Sequence, residues 1–282
     1  MKKLLSIAIC LFAYFCALTQ VEKNFQLPNQ LKPAHIAFSM SCPSGKTVLR
    51  HSQNPSAIKV NGVVYKDEGN AKFNYKASEN GSYAVSLNTS EATKLGWNEL
   101  GEDHSKDTWQ IFLNEDTSFD LDFRYGLGDS YLDLSDVAVS NLNIETGHAN
   151  VNVKYQLNQP NTTKMKTFNA NVNMGALKVE NLDLSKAEDF NATVSIGSLT
   201  LGFSDKATAS MNIAINLGAG NCNIKLPTKH TAVKILANDE VKMPKGFYKM
   251  KGYYVNSAYL MEDYEYVLTF DFNVSLGKVN FL

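Results

Sequence analysis

One phrase recurs six times in this chain: an apolar residue, two of any kind, a glycine, and then alternating small or apolar positions. Its copies are Phe123–Gly126–Gly128, Ile144–Gly147–Ala149–Val151, Val172–Gly175–Leu177–Val179, Val194–Gly197–Leu199–Leu201, Ile215–Gly218–Gly220–Cys222 and Val274–Gly277–Val279–Phe281. A strand–Gly–strand unit that returns roughly every twenty to thirty residues predicts stacked coils of a β-solenoid. Alternation such as Val194–Ser195–Ile196 sends one side chain inward and the next outward. The glycine reads as a left-handed or bulged corner that a Cβ would penalise. Leu132–Asp133–Leu134–Ser135 and Leu182–Asp183–Leu184–Ser185 are near copies of the second half of a unit. The gap from Gly218 to Gly277 is much longer. Residues 227–266 are therefore an insertion or a differently built cap, with Pro227, Pro244 and a Tyr-rich stretch from Phe247 to Tyr266.

Before the repeats the chain is also strand-rich. Residues 1–19 read as a secretory signal: Lys2 and Lys3, an apolar run from Leu4 to Leu18 too short to span a bilayer comfortably, then Ala17–Leu18–Thr19. Residues 20–34 are polar and read as a flexible lead-in. Residues 35–116 read as short antiparallel strands. Three turns suggest hairpins: Pro43–Ser44–Gly45, Asn61–Gly62 and Asn80–Gly81. Residues 91–95 are a weak helical candidate. The N-terminal hairpin region is expected to cover one end of the stack and the last strand, Leu268 to Leu282, to close the other. The prediction is an all-β chain: a hairpin-rich N-terminal region packed on a β-solenoid-like stack of short repeats over 117–282.

The composition excludes more chemistry than it offers. Net charge is −1, and Arg50 and Arg124 are the only arginines. Arginine is the preferred fork for phosphate and base edges, so specific nucleic-acid binding is not expected. The histidines are isolated from one another, which disfavours zinc. Once the leader is removed, Cys42 and Cys222 remain. An even pair in an exported protein suits a disulfide, whereas Cys222 in an apolar slot of the repeat suits a free core thiol; both readings stay open. Asp120, Asp122, Asp129, Asp133 and Asp136 are close in sequence, but solvated strand carboxylates account for them and no calcium-binding nonapeptide recurs. There is no Gly-x-Ser-x-Gly elbow and no phosphate-binding loop. Trp97 and Trp109 read as core or boundary residues before ligand platforms. No catalytic residue, cofactor or metal is predicted. The mature chain carries no transmembrane span.

The order and spacing of Trp109–Leu113, Phe123–Gly128, Leu132–Ser135 and Ile144–Val151, with the closing stretch 268–281, resemble the toast-rack domain of bacterial cell-envelope proteins. That domain occurs in LiaF-like regulators of cell-wall stress, and a related shape in adhesin-head-like domains of secreted proteins. The resemblance covers Trp109 to Pro227 and implies a scaffold without a shared catalytic motif. It points to an exported, non-enzymatic envelope-structural or adhesion-like binding protein, in the periplasm or at the cell surface. Its partner would be an envelope or surface glycan or another envelope protein. The alternative is a carbohydrate-active enzyme on a solenoid, which needs carboxylates converging across a cleft. The candidate binding surface is the tyrosine cluster Tyr248, Tyr253, Tyr254, Tyr259 and Tyr264, because Tyr joins a flat apolar face to a polar tip. The flat face of the solenoid is the other place to look.

Overall fold

A computed structural model describes residues 20–65, 71–89, 106–227, 230–237, 241–262 and 264–282. The leader, the helical candidate at 91–95 and Trp97 lie outside the described residues. The strands are β1 (Gln20–Gln26), β2 (His35–Cys42), β3 (Lys46–His51), β4 (Ile58–Tyr65), β5 (Lys72–Ala77), β6 (Tyr83–Asn88), β7 (Thr108–Leu113), β8 (Ser118–Tyr125), β9 (Asp129–Asp133), β10 (Ala138–Thr146) and β11 (Asn150–Lys154). They continue with β12 (Met165–Val172), β13 (Ala176–Glu180), β14 (Ala187–Val194), β15 (Ser198–Gly202), β16 (Met211–Leu217), β17 (Asn221–Lys225), β18 (Ala232–Ala237), β19 (Phe247–Lys249), β20 (Tyr254–Asn256), β21 (Val267–Val274) and β22 (Lys278–Phe281). Among the described residues one short α-helix, α1, spans Ser257–Met261. No helix among the described residues is long and apolar enough to cross a membrane.

The predicted all-β stack is present as two facing sheets. A ten-stranded sheet runs β1-β4-β7-β3-β9-β11-β13-β15-β17-β22, and a twelve-stranded sheet runs β19-β20-β18-β21-β16-β14-β12-β10-β8-β2-β6-β5. Each copy of the repeated phrase leaves one sheet and enters the other, so its two halves pair in parallel with the same halves of the next coil. Like residues therefore stack. Phe38, Leu121, Leu142, Phe168, Phe190 and Ile213 form one buried column on successive strands, with Phe168 and Phe190 edge to face at 5.0 Å. At a corner, the buried Asn161 amide donates to the carbonyls of Val139 (2.8 Å) and Ser185 (2.9 Å), and its Oδ1 accepts from Val139 N–H (2.8 Å), tying three successive coils together.

The corner glycines differ from expectation. Among the glycines of the six phrases only Gly128 has φ in the left-handed region, at 102°. At the others except Gly147, a Cβ would come within 2.5 Å of the neighbouring coil. A Cβ on Gly197 would lie 2.1 Å from the carbonyl oxygen of Gly175 in the coil below.

Four N-terminal readings are corrected. Residues 35–116 are not simply antiparallel: β2 pairs in parallel with β6 and β8, and β3 with β7 and β9. Residues 20–26 are not a lead-in: β1 pairs antiparallel with β4 along its whole length, and Phe25 stacks on Phe73 at 5.5 Å where the two sheets meet. Pro43–Ser44–Gly45 does not close a hairpin, because β2 and β3 belong to different sheets. Asn61–Gly62 lies inside the single strand β4, opposite the fully buried Trp109. Gly62 is there because the indole occupies the space a Cβ would need, 2.4 Å away. The third turn is a hairpin as read, with β5 and β6 antiparallel around Asn80–Gly81. The ends of the stack are staggered. Beyond β22 the ten-stranded sheet stops, while β18, β20 and β19 continue the other sheet past β21. The inserted segment thus covers one layer at that end and the last strand the other.

Cys42 and Cys222 are both buried and both free. The disulfide left open by the sequence does not form. Cys42 stands at the corner next to β3, and five strand spacings separate β3 from β17, which places the two thiols about 24 Å apart. Burial pushes the Cys42 thiol up to about 11 and the Cys222 thiol to about 12, from an ordinary 9.0. Both stay protonated at neutral pH and are poor nucleophiles. Folded protein is expected to resist iodoacetamide at pH 8, with both thiols labelled only after denaturation, as read by mass spectrometry. The linkage sign follows: these thiols leave stability unchanged below pH 9 and lower it as pH rises from 9 toward 11 and 12, where the unfolded thiols ionise first.

Candidate functional site

The outward positions of the twelve-stranded sheet form straight polar rows. One row crosses Ala84, Ala37, Asp120, Asn141 and Thr167 on β6, β2, β8, β10 and β12. The next crosses Ser86, Ser39, Asp122, Asn143, Asn169 and Asn191. Parallel pairing in register stacks the outward side chains of successive coils on one another, and several of the polar rungs bond to their neighbours. Asn141 Nδ2 donates to Asp120 Oδ1 at 2.7 Å, and Asn143 Nδ2 to Asp122 Oδ1 at 2.6 Å. Thr167 Oγ1 donates to Asn141 Oδ1 at 3.1 Å, and Asn191 Nδ2 to Asn169 Oδ1 at 3.1 Å. Such amide ladders are a property of in-register stacked strands.

Where the rows reach β6 and β2 the side chains shrink to Ala37, Ser39, Ala84 and Ser86. The surface dips there into an open groove of about 600 Å³. Asn74 and Lys76 of β5 stand on one side, Asp120 and Asp122 on the other. Three strand spacings, about 14 Å, separate the two walls. Asp120 also meets His35, whose Nε2 lies 3.2 Å away while Nδ1 lies 2.8 Å from Ser118 Oγ. Arg124 donates to Asp122 at 3.4 Å, an ion pair along the strand. The two carboxylates are side by side on one strand, and the facing wall carries an amide and an ammonium. The groove can accept hydrogen bonds from hydroxyls or amines. It does not bracket a bond between two carboxyl groups, the geometry that glycoside hydrolysis uses.

The other aspartates are dispersed. Asp129 and Asp133 belong to the opposite sheet. Asp129 accepts from Asn150 at 3.1 Å, and Asp136 from Gln159 at 2.7 Å. Burial raises the Asp133 carboxyl, but hydrogen bonds from Ser135, Lys154 and Gln156 outweigh it and hold the group below its ordinary 3.8. Among the described residues, no three His, Cys, Asp or Glu side chains gather in a way that could hold a metal ion. Trp109 is a core residue, 0% exposed.

The expected tyrosine surface is divided among several contacts. Tyr248 is exposed on the edge strand β19. Lys234 Nζ sits 4.6 Å above the Tyr253 ring, and Lys249 Nζ 5.8 Å above that of Tyr254, which also packs against the core. Tyr259 and Tyr264 stack on each other at 5.7 Å. The groove itself was not anticipated. Its only sequence signal is a run of small outward residues in 37–39 and 84–86, and nothing local says that β2 and β6 are neighbours.

Fold and site together define a two-sheet β-solenoid with a polar ladder on one broad face. The chain belongs to the toast-rack family: residues 19–180, more than half of its length, match the N-terminal domain of toast_rack, DUF2154. The match begins well before Trp109 and takes in the strands from β1 onward, whereas the resemblance in the sequence starts at Trp109 and runs on to Pro227. No curated protein matches the chain. Three solved structures are similar in outline. A candidate cell adhesion protein from Clostridium sporogenes has a TM-score of 0.46 at 15% identity, covering 93% of this chain and 99% of that one. A candidate adhesin from Bacteroides fragilis has a TM-score of 0.36 at 11% identity, covering 94% and 97%. One from Parabacteroides distasonis has a TM-score of 0.36 at 11% identity, covering 94% and 98%.

Proposed function

We propose that this chain is an exported, non-enzymatic envelope protein that binds a surface partner in the manner of an adhesin. The observation that carries this reading is the groove and the polar rows leading from it: rigidly backed, open to solvent and furnished with hydrogen-bonding groups instead of opposed catalytic carboxylates. Export rests on the leader read in residues 1–19. A second contact surface is proposed on the inserted segment, at the exposed Tyr248 and the Tyr259–Tyr264 stack.

The test is to incubate residues 20–282 with envelope fractions and an array of surface glycans, recording both capture and released products. Saturable capture without products is the expected result. Product release would overturn the non-enzymatic reading, and absence of capture on every surface would overturn the binding reading. A Tyr248→Ala variant separates the two surfaces: loss of capture in it would assign binding to the inserted segment.

A further inference from the structure

We infer that the polar rows bind an extended, unbranched, β-1,4-linked neutral glycan lying along the solenoid axis, with one sugar ring per strand. The inference rests on the binding reading above and names its ligand class.

Three features carry it. The first is spacing. Asp122, Asn143, Asn169 and Asn191 occupy successive strands, and neighbouring strands are about 4.8 Å apart. An extended chain of equatorially linked pyranose rings advances by close to one strand spacing per ring, so each ring can face one polar rung, and successive rings, turned over relative to each other, present alternate edges to Asp122, Asn143, Asn169 and Asn191. The second is preorganisation. Asn143 and Asn191 each spend one N–H on the rung before them. That bond fixes the amide and leaves its second N–H for a ligand hydroxyl, so little side-chain freedom is lost on binding. The third is charge. Asp120 and Asp122 disfavour acidic glycans and accept readily from hydroxyls.

A peptide suits the face less well. From β6 to β14 the rows lie on strands paired on both sides, so they offer no backbone edge for strand addition; among the described residues, the free edge of β5 lies beyond the groove wall. The opposite sheet carries separate rungs of the same kind, Asn150 to Asp129 at 3.1 Å and Asn280 to Asn223 at 2.9 Å, and no continuous amide row joins them. Its corresponding row carries Tyr131, Asn152 and Lys178 in succession, and Tyr131 is engaged by Lys46 at 5.4 Å.

The experiment is calorimetric titration of residues 20–282 with cello- and N-acetylchito-oligosaccharides of two to six rings, with maltohexaose as the α-linked control. Expected is an affinity that rises with each added ring and is at least tenfold weaker for maltohexaose. Asn143→Ala and Asn169→Ala should each weaken hexamer binding by about three- to tenfold. Asn152→Ala on the opposite face should bind as wild type. Thermal melts identify any variant that has lost its fold, and the length series on the unmodified chain decides the matter without variants. No binding of any β-linked hexamer, affinity independent of length, equal binding of the α-linked control, or folded Asn143→Ala and Asn169→Ala variants with unchanged affinity would each overturn the inference. If envelope fractions still capture the protein in those cases, the adhesin-like reading stands and only the ligand class falls; if capture fails too, both fall.

Discussion

Gly197→Ala is expected to lower the unfolding free energy by about 3 kcal/mol. Its Cβ would lie 2.1 Å from the Gly175 carbonyl oxygen and 2.9 Å from Val172 Cγ1. The oxygen is backbone and cannot swing aside, so the coils on either side must separate. Each coil of a solenoid rests only on its neighbours, so the damage should be local. Hydrogen exchange should accelerate most in β12–β16 and least at the N-terminal strands. Gly202→Ala is the matched control. A Cβ there meets nothing closer than 3.7 Å and the backbone is not left-handed. Stability should be unchanged or rise by about 0.5 kcal/mol. Equal losses at the two positions, in denaturant titrations, would show that the close coil-to-coil approach is not what the glycine serves.

Trp109→Ala should cost about 4 kcal/mol, because the indole is fully buried and its removal leaves a cavity between the sheets. Gly62→Ala should cost about 2 to 3 kcal/mol from the other side of the same contact, since the new methyl enters the indole ring. The two positions must then be coupled. In a Trp109→Leu background the alanine at position 62 has room, and the Gly62→Ala penalty should shrink by more than 1 kcal/mol. An additive double mutant would place the cost of Gly62→Ala in the strand backbone instead of in the indole.

These two glycines also mark how far the sequence could be read. The repeated phrase announces strands, coils and their order, because alternation and recurrence are local properties of the chain. The reason for each glycine is not local. Gly197 is needed for an oxygen contributed by Gly175, and Gly62 for a ring contributed by Trp109. Asn61–Gly62 carries the strongest hairpin signal in the N-terminal region, yet tertiary packing holds it straight inside β4. Residues 20–26 look like a polar lead-in because Val21 and Phe25 alone hardly suggest a strand. They become one only when β4 supplies an edge and Phe73 a ring to stack on.

The candidate site follows the same division. Asp120, Asp122, Asn141, Asn143 and Asn169 are visible as outward residues of alternating strands. The groove beside them depends on β2 lying between β8 and β6, a pairing between stretches more than thirty residues apart. The tyrosines of the inserted segment read as one cluster in the sequence, and the fold distributes them among separate lysine, tyrosine and core contacts.

By itself, then, the sequence determined the stacked β architecture and the polar character of its outer faces, since both come from periodicities along one strand. Which side chains share a rung, where the face sinks into a groove, and why Cys42 and Cys222 stay apart were decided only by the tertiary structure. Those properties depend on which strands become neighbours, and that is set by the packing of many coils at once.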